Sequence, residues 1–205
     1  MAVELETIKP RKGTPTAEIQ TEDGCGYSRG RKDEIDGITV WLKGQSPTGS
    51  SNYSVSPYNE RAAYIISEIL DLHIVPPTVL RLIDGMVASA QVWVDGECPR
   101  IPIPALLKAF DYIIQQGDRH TGNWLVRPDG GFWAIDNAFA FDYVVEKFSG
   151  NSKDLPDSFK LGIRKALENK TEFHRQLDNL IGRKTVTAVL KRIKIVLKEL
   201  GKNKG

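Results

Sequence analysis

Two short apolar segments, residues 124–126 and 132–135, flank the run Arg-Pro-Asp-Gly-Gly and constrain the fold more than any other feature of the sequence. Proline, aspartate and glycine favour tight turns, so the pattern predicts a β-hairpin. In a hairpin with residue 124 facing 135 and residue 126 facing 133, Asn123 and Asp136 lie side by side at the open end. Asp118 lies on the loop that leads into the hairpin. We therefore expect three oxygen-bearing side chains to converge on one place.

These three side chains suit a site that binds a metal ion and phosphate. Mg²⁺ prefers hard oxygen ligands, and phosphate oxygens and water complete its coordination shell. A phosphoryl-transfer site also needs a carboxylate that orients the attacking hydroxyl. Each residue alone is equally an ordinary turn former. Their grouping around one apolar hairpin favours Asn123 and Asp136 as metal ligands and Asp118 as a catalytic carboxylate.

The site sequence resembles the catalytic signature of the lipid-kinase-like superfamily, which includes phosphatidylinositol 3- and 4-kinases and HipA-type serine kinases. The resemblance is specific around residues 117–141 and weaker upstream. Its D-x-x-x-x-N spacing also matches that of protein kinases. The family pattern usually continues Asp-His-Gly after the second strand, whereas this chain does not, and the departure bears on the rate rather than on metal binding. The matching runs are Asp118-Arg119-His120-Thr121-Gly122-Asn123 and Ile135-Asp136-Asn137.

The resemblance implies a two-lobed protein-kinase-like fold of the α+β class. Residues 1–96 would form the N-lobe, a small antiparallel sheet with one helix, and residues 97–205 a mainly helical C-lobe. The segment 38–43 reads as a strand that ends in Lys43, a candidate for binding nucleotide phosphates or a solvated lysine at a strand end. Ser56 and Pro57 begin a helix in which Glu60, by the resemblance, pairs with Lys43; alternatively Glu60 serves the helix dipole alone. Three helices are expected near 157–169, 171–181 and 185–200.

The activity that the resemblance implies is ATP- and Mg²⁺-dependent phosphotransfer. Asp118 would receive or orient the acceptor hydroxyl, and His120 would support either the γ-phosphate or Asp118, while Arg119 braces the loop. We expect a protein serine or threonine as acceptor. The alternatives are an inositol lipid, transfer of AMP, or a nucleotide-binding pseudokinase that acts as a regulator or toxin-like effector. The glycine-rich basic loop at residues 23–32 is a further candidate for phosphate contact.

Composition limits the class of protein, its expected location and its partners. The 205 residues are 40% hydrophobic and 26% charged, which is typical of a soluble globular protein. We expect no transmembrane segment and no signal peptide, and Cys25 and Cys98 make neither a disulfide framework nor a metal cluster, so a cytoplasmic location is predicted. Residues 182–205 are strongly basic but lack interleaved aromatic residues, so no nucleic-acid partner is expected. They suit an anionic lipid, an acidic partner or a closing helix with a solvated face, and the sequence does not indicate the oligomeric state.

Overall fold

The computed structural model describes residues 30–44, 56–83, 85–142, 144–145, 148 and 155–201. Most of the glycine-rich loop predicted at residues 23–32 lies outside these ranges. The described elements are, in order, β1 (Arg31–Ile35), β2 (Ile38–Gly44), α1 (Pro57–Ile69), β3 (Thr78–Ile83), β4 (Met86–Val92), α2 (Ala105–Ile114), a 3₁₀ turn (Thr121–Asn123), β5 (Trp124–Val126), β6 (Phe132–Ala134), α3 (Asp157–Glu168), α4 (Lys170–Ile181) and α5 (Arg183–Gly201).

An antiparallel four-stranded sheet forms the N-terminal part, with strand order β1-β2-β4-β3. Strand β1 was not predicted, because its sequence RKDEI carries no apolar alternation; it exists through pairing with β2. A turn at Asp36 and Gly37, both with positive φ, joins the two strands, as expected for a two-residue hairpin loop. Val40 and Leu42 of β2 are buried with Ala90 of β4 in a small core of their own.

Helix α1 begins where the sequence predicts and packs into the main core of the molecule. The Ser56 side chain accepts a hydrogen bond from the Asn59 N–H at 3.3 Å, and Pro57 occupies the first turn. Its apolar residues contact the sheet and are also part of the large hydrophobic cluster formed by the C-terminal helices and the hairpin. The helix assigned from the sequence to the N-lobe is therefore anchored in both parts of the fold. The fully buried apolar residues of α1 and its C-cap are Ala62, Ala63, Ile66 and Leu70.

The β5-β6 hairpin forms as predicted, but its register differs by one residue from the expected one. Trp124 pairs with Ala134 and Val126 with Phe132. The reason lies in the turn, where the N–H of residue 127 donates to the carbonyl of residue 131 and Gly130 adopts a φ of +81°, so that Phe132 is already in the strand. Asn123 consequently lies opposite Ile135, whose N–H donates to the Asn123 carbonyl at 3.1 Å. The chain turns immediately afterwards, at residue 136, where φ is +55°.

The C-terminal part is helical, so the predicted α+β layout is observed. Helices α3, α4 and α5 pack together and against α1 and α2 around the main core. The three predicted helices are present with ends shifted by one or two residues, and Gly182 separates the last two with a φ of +79°. None of the described helices combines the length and the apolar composition required to cross a membrane.

Candidate active site

Lys43, Glu60 and Asp136, widely separated in the sequence, form one buried ionic cluster. The Lys43 Nζ lies 2.8 Å from Glu60 Oε1 and 2.6 Å from Asp136 Oδ1. Lys43 is 4% exposed and Glu60 1% exposed. Burial alone would lower the pKa of Lys43, but the negative charges of Asp136 and Glu60 outweigh it and raise this pKa above its ordinary value of 10.5. The structure therefore holds a permanent cation at the end of β2.

The first turn of α1 fixes the segment that follows the hairpin. The second carboxylate oxygen of Glu60 accepts a hydrogen bond from the Asn137 N–H at 3.1 Å, so one side chain holds both Lys43 and the backbone beside Asp136. The Asn59 amide donates to the carbonyls of residues 138 and 140 at 3.0 and 2.7 Å. Because α1 is anchored in the main core, these contacts give the Lys43–Glu60 pair a fixed place relative to the hairpin.

The side chain of Asn123 is buried and contacts the loop that carries Asp118. Its side-chain nitrogen donates to the Asp118 carbonyl at 2.7 Å. Its Oδ1 atom is buried and has no hydrogen-bond partner among the residues that the structure describes. Leaving a buried acceptor unpaired costs about 1–3 kcal/mol, so such an atom is expected to have a function. Such an amide oxygen, together with the carboxylate of Asp136, would form the hard-oxygen set that Mg²⁺ takes when phosphate and water supply the other ligands.

The described residues contain no cluster of three or more histidine, cysteine, aspartate or glutamate side chains able to hold a metal ion by themselves. Mg²⁺ in phosphoryl-transfer sites is commonly held by one or two protein ligands together with substrate phosphates, so a site of that kind needs no such cluster.

Asp118 and His120 lie on the loop that leads into β5. Asp118 is half-buried, and its N–H donates to the Gln116 side-chain oxygen at 3.3 Å. His120 is exposed and caps the 3₁₀ turn, its Nδ1 accepting a hydrogen bond from the Gly122 N–H at 3.0 Å. In the neutral ring this contact places the proton on Nε2. The ring thus bonds within its own turn rather than to Asp118.

The side chains of Gln116 and Arg119 hold the loop in place through hydrogen bonds to neighbouring segments. The side chain of Gln116, 3% exposed, also donates to the Asp136 carbonyl at 2.8 Å and so links the backbones of the two carboxylates. The sequence gives little sign of this role beyond a polar pair at the end of an apolar helix. Arg119 was predicted to brace the loop, and its guanidinium does bond to protein groups around it, beginning with Asp111. Burial raises the pKa of Asp111, although the charge of Arg119 opposes the shift.

Comparison with known proteins connects this site to kinases. Residues 105–184 match the family model of phosphatidylinositol 3- and 4-kinase. The Helicobacter pylori proinflammatory kinase CtkA superposes with a TM-score of 0.55 at 13% identity, covering 98% of this chain and 100% of that one. The Golgi casein kinase superposes with a TM-score of 0.51 at 13% identity, covering 88% of this chain and 71% of that one. No curated protein matches the sequence.

The fold is therefore the two-lobed kinase fold, as the resemblance of the active-site sequence implied. The family match and the fold together support a kinase. The family match begins at the first residue of α2 and includes the catalytic loop and the hairpin. The sheet that carries Lys43 lies outside it. The part of the resemblance that concerned HipA-type kinases stays a prediction.

Proposed function

We propose that this protein is an ATP- and Mg²⁺-dependent phosphotransferase that phosphorylates a serine or threonine hydroxyl of a protein. The observation that carries the proposal is the buried Oδ1 of Asn123, which has no partner in the described part of the chain and lies at the start of a hairpin whose other strand leads to Asp136. Asp136 in turn contacts Lys43, which Glu60 holds in place. Two oxygen ligands for a metal ion, next to the positively charged Lys43, suit a bound triphosphate because both cations would neutralise its phosphates.

Each side chain then has a distinct task. Lys43 neutralises nucleotide phosphates, and Glu60 keeps the ammonium in position. Asn123 and Asp136 hold Mg²⁺, which when bound supplies fixed positive charge to the phosphates. Asp118 orients the acceptor hydroxyl. The Nε2–H of His120, whose Nδ1 is engaged by Gly122, is available to donate to the γ-phosphate or to Asp118.

The choice of acceptor rests on different observations from the choice of reaction. A protein hydroxyl is supported by the fold, which this chain shares with a protein named a casein kinase. An inositol lipid is the second candidate, because residues 105–184 match a family of phosphatidylinositol kinases. We also propose that the lobes divide between residues 96 and 97. The cytoplasmic location remains a prediction.

Labelled ATP distinguishes these activities in one experiment. The protein is incubated with Mg²⁺ and either α- or γ-labelled ATP, in host lysate and with vesicles that contain phosphatidylinositol. Label from the γ position on serine or threonine supports the proposal, and γ label on lipid supports the second candidate. Label from the α position indicates AMP transfer, and nucleotide binding without transfer indicates a pseudokinase. An Asp118→Asn variant serves as the control and is expected to abolish all transfer.

A further inference from the structure

Arg119 lies at the centre of a buried network directly behind the proposed metal ligands. Its guanidinium forms a bidentate ion pair with Asp111 of α2: Nη2 donates to Oδ1 at 2.9 Å, and Nε donates to Oδ1 at 3.1 Å and to Oδ2 at 3.2 Å. The two side chains are only 4% and 9% exposed. A buried pair of this kind needs further hydrogen bonds to offset the desolvation of both charges. The remaining contacts of the guanidinium show where those bonds go.

One nitrogen of the guanidinium joins the two strands of the hairpin. Nη1 donates to the backbone carbonyl of Asn123 and, at 2.7 Å, to that of Ile135. These carbonyls belong to one proposed metal ligand and to the residue immediately before the other, Asp136. The strands are three residues long each, and an isolated two-stranded ribbon is marginally stable in water. Arg119 thus links the two strands at the open end of the hairpin, next to both proposed metal-binding residues.

The other end of the guanidinium fixes the residue after Asp136. Nη2 donates to Asn137 Oδ1 at 2.7 Å, and Asn137 Nδ2 donates to the Ala134 carbonyl at 3.1 Å. Asn137 is fully buried, and its N–H is bound by Glu60. Asp136 is therefore held on both sides through Arg119, before it by the carbonyl of residue 135 and after it by the Asn137 side chain.

We infer that Arg119 is a positioning residue that sets the separation of Asn123 and Asp136 and thereby the affinity for the metal–nucleotide complex. The inference rests on the proposed function. Groups that orient metal ligands typically change metal affinity by about 10- to 100-fold when they are replaced. Lysine cannot substitute for Arg119, because a single ammonium cannot reach Asp111, two carbonyls and an amide oxygen in the planar arrangement of the guanidinium.

The test compares Arg119→Lys with the wild type and with Arg175→Lys, an exposed arginine of α4 paired with Glu172. Mn²⁺ binding in the presence of ATP is followed by electron paramagnetic resonance. In the same preparations, amide hydrogen exchange of residues 135 and 137 is measured without metal. Arg119→Lys is expected to bind Mn²⁺ about 10- to 100-fold more weakly and to lose protection at both amides, while Arg175→Lys behaves like the wild type. A folded Arg119→Lys protein with wild-type affinity overturns the inference.

A second variant covers the case in which Arg119→Lys does not fold. Asn137→Leu keeps the ion pair with Asp111 and removes one contact of the guanidinium, and it should weaken Mn²⁺ binding in the same direction, by about threefold or more. Failure of the wild type to bind Mn²⁺ with ATP would refute the proposed function instead. In that event the amide exchange still decides the role of Arg119: lost protection supports it as the tie of the hairpin, and unchanged protection overturns it.

Discussion

Replacing Lys43 with methionine removes the one cation of a buried cluster while keeping a side chain of similar length. In the wild type the ammonium lies 2.8 Å from Glu60 and 2.6 Å from Asp136. The variant leaves these two carboxylates close to the same apolar space without a counter-charge. Breaking a buried ion pair by removing one partner costs about 3–5 kcal/mol, because the remaining charge stays desolvated.

The expected loss is a large part of the stability of the protein. Domains are typically stable by about 5–15 kcal/mol. In a chain of this size each kcal/mol shifts the melting temperature by roughly 2–4 °C, so Lys43→Met should melt roughly 6–20 °C lower than the wild type. Urea denaturation followed by far-ultraviolet circular dichroism at pH 7 gives the free-energy difference directly.

Lys160→Met is the matched control. Lys160 lies 2.8 Å from Asp157, the same distance that separates Lys43 from Glu60, but this pair is on the surface of α3, where the aspartate side chain is 95% exposed. An exposed pair contributes about 0–1 kcal/mol. If both substitutions lower the stability by the same amount, burial does not govern the Lys43 cluster and the reasoning is refuted.

The pH dependence of the same pair of proteins adds an independent check. The pKa of Lys43 is raised in the folded state, so its contribution to stability is complete below its ordinary value of 10.5 and is lost as the pH rises beyond that value. The stability difference between the wild type and Lys43→Met should therefore narrow as the pH is raised from about 9 to above 10.5. A difference that widens over this range would contradict the assignment.

Three further substitutions test other parts of the account. Gly162→Ala places a Cβ 2.2 Å from the Leu70 carbonyl oxygen where α3 meets the end of α1, so urea denaturation should show a loss of about 1–3 kcal/mol, whereas Gly201→Ala, with open space around it, should show none. Asn59→Leu removes three amide contacts to the segment after the hairpin, and hydrogen exchange at residues 138–142 should become faster while α5 stays protected. His120→Ala should lower the rate of transfer by about 10²–10⁴-fold with little change in melting temperature, because the ring is exposed; an unchanged rate would remove His120 from the mechanism.

The elements that the sequence predicts well are those whose signals are local. Ser56 and Pro57 mark the start of α1, and Gly182 marks the break between α4 and α5. Strand β1 was missed because its alternation of charged residues carries no apolar signal, and only the partner strand makes it a strand. The hairpin register was wrong by one residue because the turn geometry, which a composition rule does not specify, fixes the pairing.

The residues of the candidate site also differ in how far the sequence predicts them, because some are close in the chain and others meet only in the fold. Asp118, Asn123 and Asp136 could be grouped from the sequence because all three lie close to one short hairpin in the chain. The contact of Lys43 with Glu60 and Asp136 crosses from the sheet to α1 and to the hairpin, and the sequence suggested only its Lys43–Glu60 part, through the resemblance to a kinase family. The hydrogen bonds that hold the catalytic loop could be predicted only in part. Arg119 was expected to brace it, but the choice of Asp111 as its partner depends on how α2 packs.

The most direct test of the account is a calorimetric titration of ATP into the protein with Mg²⁺ and with a chelator, for the wild type and for Asp136→Ala. We expect Mg²⁺ to tighten the binding of ATP to the wild type. We expect Asp136→Ala to bind ATP with the same affinity with Mg²⁺ and with the chelator, and more weakly than the wild type does with Mg²⁺. Arg175→Lys should match the wild type. An Asp136→Ala protein that remains folded and retains the full effect of Mg²⁺ would contradict the assignment of the metal site.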